Sequence, residues 1–166
     1  MSALKIPTGI KWWTAAGFLL ILIAGIWIQF NLRKWDGAGI IVWDVMGYYL
    51  YLPAAFVYDD LGELKFADLI SNAYNPIGDL TRYGIVDHAH NGRSTIKYPI
   101  GVAVMNIPVF FSGHLAAKWS GGKHPTDGFS TPYQMAIAIG NFLYVIKISG
   151  KLFQSTDGYK GLHCES

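Results

Sequence analysis

The chain has 166 residues, of which 52% are hydrophobic and 15% aromatic, while only 14% are charged. A soluble domain carries roughly 25% charged residues, so the composition excludes a disordered chain and argues against an ordinary soluble domain. The net charge of +2 and the absence of a long basic run exclude nucleic acid as a partner, and the lone Cys164 excludes a disulfide framework or a CxxC metal pattern.

The chain order predicts an all-α membrane protein with about three transmembrane helices. Residues 1–11 are purely basic, with Lys5 and Lys11, and read as a cytoplasmic N-terminus. Residues 12–32 form an uncharged run of the length that crosses a bilayer core as a helix. Trp12, Trp13 and Trp27 near its ends fit the aromatic belts of a membrane interface. A cleaved leader would have a shorter apolar region and small residues at the cut, where this chain has Trp27, Ile28 and Phe30.

Residues 33–97 make a long connection with six basic and eight acidic residues, read as an extracytoplasmic loop. The stretch from Trp43 to Tyr58 holds Tyr48, Tyr49 and Tyr51 among aliphatic residues. It reads as a helix on the membrane surface, since a tyrosine ring is apolar and its tip polar. Asp60 to Asn72 is a second amphipathic helix with Asp60 as its cap. Asn91-Gly92 between two short runs predicts a small β-hairpin. Residues 98–117 form the second span, interrupted by Pro99, Pro108 and the packed polar residue His114. Residues 118–127 follow as a cytoplasmic loop. Residues 128–146 form the third span, with Pro132 in its first turn, where a missing N–H costs nothing. Residues 147–166 are a polar tail without another apolar run, the pattern of a truncated or frameshifted chain. A soluble fold that buries these helices is the rival class.

Three places carry candidate chemistry. Asp44 lies among aromatic residues; it either caps the Tyr-rich helix or is a functional carboxylate whose desolvation needs a partner. Lys97, just before Tyr98-Pro99, either snorkels to headgroups or neutralises a lipid phosphate. Asp87, His88 and His90 look like a metal cluster, but their spacing is that of a polar hairpin arm and Asn91-Gly92 follows directly, so they read as the arm; Arg93 is a hairpin surface residue. The chain contains no GxSxG, HExxH, P-loop or GxGxxG pattern.

Three segments, taken in order, resemble the polytopic GT-C membrane glycosyltransferases, whose members include the lipid A aminoarabinose transferases and the protein O-mannosyltransferases. Asp44 with Gly47-Tyr48-Tyr49-Leu50-Tyr51-Leu52-Pro53 is similar to their first outer loop. Lys97-Tyr98-Pro99-Ile100-Gly101 with Asn106-Ile107-Pro108 is similar to the entrance of their second span. Asp127-Gly128-Phe129-Ser130-Thr131-Pro132-Tyr133-Gln134 is similar to the start of their third.

The resemblance covers most of Trp12 to Ile146 and so implies only the N-terminal portion of such an enzyme, inactive alone. It implies a polyprenyl-phosphate-linked sugar as donor and an extracytoplasmic acceptor. It implies Asp44 as the catalytic acid residue, Lys97 as the phosphate contact, and Tyr48 and Tyr49 as pocket walls. It implies no definite cofactor, with a divalent metal as the option that would assist the acceptor's attack. The implied location is the bacterial inner membrane with the N-terminus inside. The family has more spans and further functional residues in later loops. The alternative is a small non-enzymatic three-span membrane protein that binds a partner or lipid.

Overall fold

The structure, a computed structural model, describes residues 8–36, 39–74, 84–88 and 92–158. The chain divides into two compact units, Met1–Lys34 and Trp35–Ser166. The described residues are mostly helical with one small antiparallel sheet.

The first unit is one helix, α1 (Thr8–Leu32), of 25 residues. At 1.5 Å per residue it is roughly 37 Å long, enough to cross a bilayer core. Among the described residues this is the one helix long and apolar enough to do so. Its large side chains lie open: Trp13 is 80% exposed and Trp27 65%. Apolar bulk on every side is the pattern of a helix surrounded by lipid.

The second unit begins with two short helices, α2 (Trp43–Tyr49) and α3 (Tyr51–Phe56). They meet at Leu50, which ends one and caps the other with αR dihedrals. Pro53 sits in the first turn of α3, where its missing N–H has no helical partner to lose. The surface helix expected over 43–58 is thus realised as two pieces. Neither piece is long enough to stand alone in water, and both are held by the burial of Met46, Tyr49, Leu50, Leu52 and Ala54.

The next helix, α4 (Phe66–Tyr74), starts later than expected. Asp60 does not cap it directly. The Asp60 carboxylate accepts from the backbone N–H groups of Glu63 and Leu64 at 2.9 and 3.0 Å, and of Lys65 at 2.7 Å. Desolvation pushes this carboxyl up, but the three donors together with Lys65 outweigh it, so Asp60 titrates below the usual carboxylate range.

The hairpin is formed by β1 (Ile85–His88) and β2 (Arg93–Ile96), with Ile85 opposite Ile96 and His88 opposite Arg93. Gly92 has φ +64°, as the expected Asn-Gly turn requires. Residues 89–91 lie outside the described residues.

The two long helices, α5 (Gly101–Trp119) and α6 (Thr131–Gly158), run antiparallel. The buried stripe of α5 is Ala103, Asn106, Phe110, Gly113 and Ala117, spaced alternately by three and four. Two glycines set the close approach. A Cβ on Gly113 would lie 2.9 Å from the Tyr133 Cα, and one on Gly140 would lie 2.6 Å from Val109 Cγ1. The Tyr144 hydroxyl donates to the Met105 carbonyl at 2.6 Å, tying the helices near the start of α5.

These helices occupy the places of the second and third expected spans, with shifted ends. Helix α6 continues to Gly158, past the boundary at Ile146 and into the segment read as a polar tail. Asn106, Pro108 and His114 in α5, and Gln134, Asn141 and Lys147 in α6, dilute their apolar runs.

Three bonds bear on the expected placement of the loops. The sequence reading sets residues 33–97 and 118–127 on opposite sides of a membrane. The Tyr58 hydroxyl donates to the Asp127 carbonyl at 3.1 Å, and the Tyr74 hydroxyl donates to the Asp127 carboxylate. The Tyr49 hydroxyl donates to the next carbonyl, that of Gly128. No bilayer can run between groups that share these bonds. Cysteines introduced one at a time by Asp68→Cys and Lys123→Cys, with Cys164→Ser as background, should react from the same side of sealed vesicles with a membrane-impermeant maleimide; labelling from opposite sides would contradict the fold.

Candidate functional site

Two polar centres stand out in the second unit, one at each end of the α2–α3 pair. The first gathers the residues singled out from sequence. Asp44 lies in the first turn of α2, while the N-cap position is taken by Val42, which makes no side-chain capping bond. Asp44 is therefore not the cap, and its Oδ1 instead accepts from the hydroxyl of Tyr98, 54 residues further on. Tyr48, one helical turn after Asp44, places its ring centroid 4.6 Å from that of Tyr98. The ammonium of Lys97 lies 5.5 Å from the centre of the same ring, within reach of a cation–π interaction. Asp44, Tyr48 and Lys97 thus come together, and Tyr98 is what joins them.

The backbone explains why Tyr98 can do this. Pro99 restricts Tyr98 to extended conformations. The Tyr98 carbonyl accepts from the Tyr51 hydroxyl at 2.7 Å, and Lys97 N–H donates to the Gly84 carbonyl at 2.8 Å. Gly84 has φ +75°, and a Cβ there would lie 2.7 Å from Lys97 Cε and run into the Tyr98 ring. A glycine is required at this position for both reasons. Beside the cluster, Trp43 has φ +53°, an uncommon conformation for a bulky residue. Strain of this kind costs on the order of 1–3 kcal/mol and recurs near functional groups.

Tyr49 is not part of the cluster. It is 3% exposed, and its ring lies against Phe110 and Phe129, 5.9 and 5.6 Å between centroids. Its place is in the core, one residue around the helix from Tyr48, and not on a pocket wall.

The second centre is the turn before α6. Asp127 Oδ1 accepts from the N–H groups of Phe129 and Ser130 at 2.8 and 2.9 Å. The Asp127 carboxylate and carbonyl, with the Gly128 carbonyl, take the hydroxyls of Tyr74, Tyr58 and Tyr49. Gln134, 1% exposed, completes this region. Its Oε1 accepts from Ile40 N–H at 3.1 Å and Ile41 N–H at 2.8 Å, and its Nε2 donates to the Phe129 carbonyl at 3.1 Å. His114 Nδ1 pairs with the Tyr133 hydroxyl at 2.6 Å, which makes it the packed polar residue expected. The Asp127 carboxylate and the neighbouring carbonyls are satisfied by backbone N–H groups and tyrosine hydroxyls, so this centre reads as architecture.

Sequence reasoning missed Tyr98, Asp127 and Gln134 as organising residues. The Lys97-Tyr98-Pro99 motif was the available signal for Tyr98; nothing local marks Gln134. Among the described residues no group of three His, Cys, Asp or Glu side chains converges. The side chains of Asp87 and His88, and the whole of His90, lie outside the described residues.

Chemically, the first centre offers a carboxylate that can accept a proton and an exposed ammonium that can meet an anion, with two aromatic rings between them. No family model, curated protein or solved structure matches the chain.

Two outcomes follow for the architectural centre. Replacing Gln134 by Leu strands one buried and one half-buried N–H group and one carbonyl, and should cost on the order of 2–4 kcal/mol, read by thermal or denaturant unfolding in detergent. The phenol of Tyr49 is raised by burial and the nearby Tyr133 and Asp127, that of Tyr58 by burial and Asp127. Tyr74 is raised by burial and then by its bond to Asp127. Groups raised in the folded state hold their proton more tightly there, so their stabilisation is complete below the ordinary tyrosine pKa near 10.0 and is lost as pH climbs through the folded values. Unfolding midpoints should therefore fall above about pH 10, and Tyr74→Phe should flatten that fall.

Proposed function

We propose that this chain is the N-terminal portion of a membrane-bound glycosyltransferase that uses a polyprenyl-phosphate-linked sugar and acts on an extracytoplasmic acceptor. The observation that carries the reading is the meeting of Asp44 and Lys97 across Tyr98, beside the ring of Tyr48. Two residues 53 positions apart, chosen on chemical grounds, share one aromatic neighbour. The resemblance of their flanking motifs to GT-C enzymes adds the substrate class.

In this reading the Asp44 carboxylate takes the proton of the acceptor hydroxyl as that oxygen attacks the anomeric carbon. The bond to the lipid phosphate breaks, and Lys97 neutralises the charge that grows on the departing phosphate. The Tyr48 and Tyr98 rings form the wall beside the sugar. Tyr49 stays in the core. Helix α1 crosses the bacterial inner membrane with the basic N-terminus inside. Helices α5 and α6 meet the hydrocarbon through their exposed side chains, among them Val104, Phe111, Leu115, Ile139 and Leu143. A full donor cavity needs more enclosing walls than these elements supply, so the chain alone is expected to bind and not to turn over.

A second reading is a non-enzymatic membrane protein that binds a partner. An open apolar groove of about 420 Å³ along α5 and α6, lined by Pro108, Val109, Ser112, Ile139, Gly140 and Leu143, favours it.

The test is binding of undecaprenyl phosphate to the purified chain in mixed micelles. Lys97→Ala should weaken binding by about tenfold or more, the worth of a charge-assisted contact. Asp44→Asn should leave the affinity within about twofold, since the carboxylate acts on the acceptor side. Absence of binding to the unmodified chain, or indifference to Lys97→Ala, would overturn the proposal and move the partner-binding reading ahead.

A further inference from the structure

The sugar-transfer reading uses the ring of Tyr98 only as a wall and assigns its hydroxyl nothing. We infer that Tyr98 is the positioning residue of the site, holding the Asp44 carboxylate through its hydroxyl and the Lys97 ammonium over its ring.

The geometry makes Tyr98 a fixed post with two movable groups attached. Its carbonyl is tied to the Tyr51 hydroxyl on α3. Its ring lies in the space left by the missing side chain of Gly84 and against the ring of Tyr48. Its φ is limited by its own proline neighbour, Pro99. Asp44 and Lys97 are both exposed, and an exposed side chain samples several rotamers unless something selects one. The Tyr98 hydroxyl supplies that selection for Asp44, by a bond to one carboxylate oxygen. The π face supplies it for Lys97, weakly enough that an incoming anion can still draw the ammonium.

Two neighbours differ from Tyr98 in kind. Tyr51 has its hydroxyl committed to backbone carbonyls, those of Tyr98 and Ile96, and so braces the post without touching the carboxylate. Tyr48 contributes its ring to the Tyr98 face. Among the described residues, Tyr98 contacts both Asp44 and Lys97, through two different parts of one side chain. The two contacts can therefore be removed separately. Phenylalanine at this position keeps the face and removes the hydroxyl, while leucine removes both.

The inference about Lys97 rests on the lipid-phosphate reading; the inference about Asp44 does not. The experiment uses the full chain in detergent, labelled with ¹³Cγ-aspartate, with undecaprenyl phosphate as the binding probe. The Asp44 carboxylate resonance is identified by its loss in Asp44→Asn. Tyr98→Phe should move that resonance and Tyr48→Phe should not, and Tyr98→Phe should bind undecaprenyl phosphate more tightly than Tyr98→Leu. Tyr98→Leu should also lower the affinity by about two- to fivefold, the range of an exposed cation–π contact. An unmoved Asp44 resonance in Tyr98→Phe would overturn the positioning role toward Asp44. Equal affinities for the phenylalanine and leucine variants would overturn it toward Lys97. If the unmodified chain does not bind undecaprenyl phosphate at all, the sugar-transfer reading and the Lys97 half of this inference fall, and the resonance still decides the Asp44 half.

Discussion

The second unit is organised by the desolvated turn at Asp127 and Gly128. A helix of 28 residues begins just beyond it, and the first N–H groups of such a helix need acceptors that the helix does not provide. Asp127 supplies them for Phe129 and Ser130, and Ser130 in turn accepts from Tyr133 and Gln134. The carbonyls that this turn exposes would be unsatisfied if they were merely buried. Three phenols from the α2–α4 region satisfy them and the second carboxylate oxygen. The turn is thus both the start of α6 and the anchor for the α2–α4 region.

From that anchor the candidate site follows at a distance. Tyr49 is fixed at Gly128, which sets the rotation of α2. With Tyr49 facing the core, Tyr48 faces about 100° around the helix axis, and Asp44 lies one turn below Tyr48 on that same face. The Gln134 side chain fixes the backbone at Ile40 and Ile41, just before α2. The exposed carboxylate is thereby aimed by a buried architecture, the arrangement by which a scaffold supports a functional group.

Much of the local structure was legible in the sequence. The apolar run of α1, the Asn-Gly hairpin and the proline at the start of α6 are signals contained in a few adjacent residues. Asp44, Tyr48 and Lys97 were singled out by residue type and motif, and the structure gathers them around Tyr98. The roles of Tyr98, Asp127 and Gln134 were not legible. Their decisive bonds span 54, 53 and 94 positions, and periodicity carries no information over such separations. Asp44 and Asp60 show the same limit from the other side. Each has the residue type of a helix cap, and each spends its carboxylate elsewhere: on a distant phenol in one case, on a loop in the other. The bonds between the loops were not legible for a related reason. Counting lysines treats loops as independent of one another, and three tyrosines make these loops a single body.

The long reach of the Gln134 and Tyr49 bonds also constrains how the molecule is made. Helices α2 and α3, with seven and six residues, cannot persist before their partners exist. Those partners, Gly128 and Gln134, emerge from the ribosome 79 to 94 residues later. During that interval of synthesis a stretch rich in tyrosine and leucine waits unpaired. It must be sheltered by the bilayer surface or by a chaperone if it is not to aggregate. The same bonds that orient the acidic side chain in the finished protein thus make its assembly wait until translation has passed the start of α6.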